Sequence, residues 1–63
     1  MDRELVENFK ELKFEFGNQG GNLDAVLEDV GVRKGEAPLE TYISEKDMEK
    51  LINRFRVLLG KHL

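Results

Sequence analysis

The chain has 63 residues, a formal net charge of −3, 40% apolar and 37% charged side chains, and no cysteine. That length makes one domain at most, and the missing thiols exclude disulfides and a thiolate zinc site. His62, which reads as a surface residue, is the single histidine and Ser44, placed where a helix cap is wanted, the single serine; a chain so poor in nucleophiles and proton shuttles is not expected to be an enzyme.

The first segment reads as a helix from Asp2, a plausible N-cap, to Phe16. Leu5, Val6, Phe9, Leu12 and Phe16 fall on one helical face, and Gly17 stands where a left-handed glycine would end the helix. Phe14 lies off that face. The rival reading ends the helix near Lys10 and makes Leu12–Phe16 a strand, because Leu12, Phe14 and Phe16 alternate with Lys13 and Glu15. Residues 17–22 carry three glycines and read as a loop. Asn22 then caps a short helix bearing Leu23, Val26, Leu27 and Val30, which Gly31 stops.

Residues 31–38 form a second linker, in which Pro38 disfavours helical geometry at Ala37. Leu39, Thr41 and Ile43 alternate with Glu40 and Tyr42, as an extended lead-in or a short strand would. The last helix begins at Ser44, with Glu45 and Asp47 in its first turn. Ile43 and Met48 have the spacing of a hydrophobic staple. Met48, Leu51, Ile52, Phe55, Leu58 and Leu59 make one apolar stripe, Val57 lies off it, and Gly60 closes the helix. The predicted fold is mainly α, a small three-helix domain. The alternative is α+β, with residues 12–16 and 39–43 paired as two strands and packed by the C-terminal helix.

Charge is unevenly placed. Residues 1–30 hold eight acidic against three basic side chains, a net of −5, and residues 31–63 hold five against seven, a net of +2. A nucleic-acid binder normally presents one dense basic face, so direct nucleic-acid binding is not expected. Between the second and third helices, Leu27–Val32 looks like a helix-turn-helix corner. Its linker is too long, and the following helix opens on acids where phosphates would lie. The glycine loop lacks the Lys-Ser/Thr of a phosphate cradle, and the many carboxylates read as solvated faces. No cofactor is expected. No apolar run reaches the roughly 20 residues that cross a bilayer. Asp2 and Glu4 do not suit a signal peptide, and the absence of cysteine suits a reducing cytoplasm.

What remains is a binding role. A domain this small is marginal unless its helices pack very regularly or another chain completes its core. The chain reads as a non-catalytic protein-binding regulator or inhibitor that docks apolar and aromatic residues on a larger partner. Phe14, Tyr42 and Val57 are the candidate anchors, joined by Ile52 and Phe55 if the last stripe is not all core. The alternative is a small DNA-associated regulator that dimerises through the last helix.

The run Glu49-x-x-Ile52-x-x-Phe55-Arg56 resembles the sliding-clamp-binding peptide, in which a polar residue precedes an aliphatic and then two adjacent aromatics. It departs at two places: Glu49 replaces the usual glutamine, and Arg56 the second aromatic. In length, charge and lack of cysteine the whole chain is similar to small archaeal proteins that inhibit the replication clamp without a proper clamp-binding peptide. That resemblance implies a cytoplasmic inhibitor acting in DNA replication, one that binds the clamp and blocks its assembly or its other partners.

Overall fold

The structure, a computed structural model, describes residues 2–61; His62 lies outside the described residues. Three α-helices follow one another: α1 (Arg3–Asn18), α2 (Leu23–Val30) and α3 (Glu45–Leu58). A single 3-10 turn at Leu39–Thr41 interrupts the long α2–α3 connection. The fold is mainly α, and no strand occurs among the described residues.

Each helix starts on a side-chain cap. Asp2 accepts from the Glu4 amide at 3.0 Å, Asn22 from Ala25 at 3.2 Å and Ser44 from Asp47 at 3.1 Å. Each satisfies an amide that the helix leaves without a partner. All three helices end in the same way, on a glycine with positive φ: Gly20, Gly31 and Gly60. The amide after each glycine bonds back to a last-turn carbonyl: Gly21 to Phe16 at 3.0 Å, Val32 to Leu27 at 2.8 Å, Lys61 to Arg56 at 2.7 Å. This is the Schellman arrangement.

The first helix corrects two expectations. Leu12–Phe16 is helical, so the strand alternative fails: Leu12 and Phe16 are buried while Phe14, between them, is exposed. Alternation over five residues cannot separate a strand from a helix whose inner face includes i and i+4. Gly17 does not end the helix either; it lies within α1, and Gly20 takes the left-handed conformation.

Residues 39–43 are likewise neither strand nor extended. Thr41 folds back so that its amide and hydroxyl both donate to the Pro38 carbonyl, at 3.0 and 2.6 Å. Leu39 and Ile43 thereby point inward, and both are buried.

The core is wholly apolar, with no buried polar or charged residue among those described. Phe9, Met48, Leu51 and Phe55 are its fully enclosed members. Phe55 sits between Phe9 and Phe16, with ring centroids 6.0 and 5.2 Å away in tilted arrangements. Such pairs contribute roughly 0.5–1.5 kcal/mol each beyond area burial. The stripe on α3 is core through Met48, Leu51, Ile52 and Phe55, but Leu58 is 52% exposed. Leu58 faces outward at the edge of the stripe, while the adjoining Leu59 still packs against the core.

Candidate protein-binding groove

The connection from Val32 to Ile43 crosses the surface as a strap anchored at both ends by buried side chains, Val32 and Ile43, and in its middle by Leu39. Polar contacts hold it further. The Tyr42 hydroxyl accepts from the Gly35 amide at 2.5 Å. Lys13 of α1 pairs with Glu40 at 2.7 Å, and Lys34 with Asp24 at 2.8 Å.

Between this strap, the second half of α1 and the inner side of α2 runs a groove of about 650 Å³. Phe14 stands on its α1 wall and Tyr42 on its strap wall, with the half-buried Leu23 adding apolar surface above the buried Leu27 and Leu39. The fold therefore gathers two of the sequence-nominated aromatics into one concave surface, although 28 positions separate them. Phe14 is 70% exposed and Tyr42 42%. Mostly apolar grooves with a few placed polar groups are the usual form of a binding site.

The other nominated residues do not join them. Val57, 50% exposed, lies beside Val30, Lys50 and Arg54 on the α2–α3 side, where Arg54 pairs with Asp29. Ile52 and Phe55 are 3% and 0% exposed and cannot be presented by the folded chain, which corrects their nomination as anchors. The same burial removes the clamp-peptide reading of Glu49–Arg56, since both of its apolar residues face the protein's own core. A second groove, about 620 Å³ between α1 and α3, is lined mainly by polar and charged groups, among them Glu11, Glu15, Asn53, Arg56 and Lys61.

The rim of the Phe14–Tyr42 groove carries charge of both signs. Lys10, Lys13 and Lys34 line it against Glu36 and Glu40, on a molecule whose net charge is −3. Partial burial pushes the Glu40 carboxyl up, but the hydrogen bond from Lys13, a backbone hydrogen bond and the nearby Lys13 and Lys10 charges outweigh it, so Glu40 sits below the ordinary 4.5. The hydrogen bond to Asp24, and its charge, hold the Lys34 ammonium above its ordinary 10.5. Glu40 and Lys34 thus both keep their charge across the physiological range.

Reading the sequence missed the lysines, Gly17 and Leu58. The lysines are unremarkable in a chain that is 37% charged, and Leu58 continued a convincing stripe. Gly17 carried a usable signal: it stands three positions after an off-face phenylalanine, so a continuing helix places both on one side. Among the described residues, no cluster of three or more His, Cys, Asp or Glu could hold a metal, and no helix is long and apolar enough to cross a membrane. No protein-family model, curated protein or solved structure matches the chain.

Proposed function

We propose that the protein is a non-catalytic binding module, a regulator or inhibitor that acts by docking the Phe14–Tyr42 groove on a larger protein. One observation carries this reading: an aromatic side chain left 70% exposed in mid-helix shares a strap-walled groove with a second, half-exposed aromatic. Aromatic anchors in such settings dominate interface energetics, commonly at about 2 kcal/mol or more each on truncation. A strap fixed by three polar contacts and three buried side chains also lowers the ordering cost of binding.

A replication clamp is one candidate partner, supported by the chain's likeness in length, charge and missing cysteine to small clamp inhibitors, and such a role would place it in the cytoplasm. That support does not extend to a clamp peptide in α3. The DNA-associated dimer depends on the α3 stripe, most of which packs inside the monomer, and no feature of the groove favours it.

The test is quantitative capture from native lysate with immobilised wild-type protein beside Phe14→Ala and Val57→Ala variants. The expected result is a stoichiometric protein retained by wild type and Val57→Ala and lost with Phe14→Ala. Equal retention by all three, or no retained protein, would rule the reading out. Adding purified clamp to the same resin decides the named candidate directly.

A further inference from the structure

If the groove is the docking surface, its relief and charge specify the occupant more closely. Gly17 is helical, exposed and followed by one more turn residue before the cap, and a Cβ built on it would meet nothing within 4 Å. No packing within the chain therefore requires glycine there. Glycine in a helix costs about 0.5–1 kcal/mol relative to alanine, a cost its own surroundings do not explain. What the glycine does supply is a notch of bare backbone one turn beyond Phe14, where another backbone can approach closely.

Lys10, Phe14 and Gly17 are spaced i, i+4 and i+7, so they form a charge, a ridge and a notch along about 10 Å of α1. That length and relief suit two turns of a second helix laid into the groove, ridge into notch. The rim decides the charge of that helix. Three lysines border the groove, and the carboxylates nearest Lys13 and Lys34 are already paired with them. Lys10 makes no ion pair among the described residues, and the Lys34–Asp24 pair is more than 60% exposed on both sides, where such a pair exchanges readily. Glu36 and Glu40 on the strap, and an acidic chain behind them, disfavour a phosphate backbone with its unbroken run of charge. An intermittent set of carboxylates can instead alternate with the strap's own acids.

From these relationships we infer that the groove receives an acidic amphipathic helix of a partner protein, with aliphatic side chains seated between Phe14 and Tyr42 and carboxylates directed at Lys10 and Lys34. This assignment rests on the docking role proposed above. Two 12-residue probe peptides test it, both with leucines at helical i, i+3, i+4, i+7 spacing, one filled out with glutamate and the other with lysine. Each is titrated into ¹⁵N-labelled full-length protein. The glutamate peptide should shift the amide resonances of Phe14, Gly17, Gly35 and Tyr42 saturably, and bind at least on the order of tenfold more tightly than the lysine peptide, equivalent to about 1.4 kcal/mol. Phe14→Ala should abolish those shifts and Lys10→Glu should erase the charge preference. Both positions are exposed, so a melting curve for each variant separates lost binding from lost folding.

Equal or tighter binding of the lysine peptide overturns the inference, as does a shift map centred on Val57 and Leu58, or no saturable shift with either peptide. A single-stranded oligonucleotide that saturates the same resonances more tightly overturns it in favour of nucleic acid. Concentration-dependent shifts at Phe14 in the free protein overturn it in favour of a second copy. Loss of lysate capture with Phe14→Ala would stand in any of these cases except self-association, so failure of the acidic-helix assignment is distinguishable from failure of the docking role.

Discussion

The Tyr42 hydroxyl accepts a hydrogen bond from the Gly35 amide at 2.5 Å, while its ring carbons stand 3.1–3.3 Å from where a side chain on residue 35 would begin. One residue supplies the acceptor and the other supplies the space, so the strap closes on itself and sets the far wall of the groove. Tyr42→Phe keeps the ring and removes the acceptor. The expected loss is about 0.5–1 kcal/mol, at the low end for a hydrogen bond because the site is exposed. Urea denaturation should show a lower midpoint with an unchanged slope, and faster exchange of the Gly35 amide.

Glycine substitutions should separate by position. At Gly17 a methyl group enters open space on a helix, so Gly17→Ala should stabilise the fold by up to about 0.5–1 kcal/mol. It should also weaken partner binding, because it fills the notch beside Phe14. At Gly21 a Cβ would overlap the Phe16 ring, which is part of the core. Gly21→Ala should therefore destabilise, by about 1–3 kcal/mol as overpacking generally does. Thermal melts of the two variants should move in opposite directions.

Phe14 and Phe55 are the most instructive pair for mutation, since one is 70% exposed and the other fully enclosed. Phe55→Ala should cost about 3–5 kcal/mol. A chain of this size has roughly 3–9 kcal/mol in total, at about 0.05–0.15 kcal/mol per residue, so the variant should be largely unfolded or close to it by circular dichroism. Phe14→Ala should change stability by no more than about 0.5 kcal/mol. Equal destabilisation by both would mean that Phe14 is packed in solution.

The Lys13–Glu40 pair makes one part of the acid sensitivity predictable. The folded state holds the Glu40 carboxyl below its ordinary 4.5. Its contribution is therefore complete above the unfolded value and is lost as pH falls through the lower folded value. Glu40→Gln should be less stable than wild type near neutral pH, and the difference should shrink as pH drops below 4.5. Urea midpoints measured at neutral pH and at successive acid points check this; a gap that widens in acid would contradict it.

Local rules were sufficient where the determinant was local. Asp2, Asn22 and Ser44 are caps because a short oxygen-bearing side chain next to a free amide is stabilising wherever it stands, and Gly31 and Gly60 stop their helices because they tolerate positive φ. The periodicity of Met48, Leu51, Ile52 and Phe55 likewise identified the buried side of α3. Local rules failed at Leu12–Phe16, where five alternating residues fit two periods, and at Leu39–Ile43, where alternation marked a folded turn.

Three helices and an apolar centre were therefore determined by the sequence alone, through spacing, caps and glycines. Tertiary structure alone decided that Phe14 and Tyr42 share a groove while Ile52 and Phe55 disappear into the core. Periodicity says which side of one helix is apolar, but not how far the neighbouring element covers it. Phe9 and Phe16 of α1 enclose Phe55, while Leu39 and the Lys13–Glu40 pair hold the strap to the helices and Tyr42–Gly35 closes it on itself, contacts between positions that no local pattern relates.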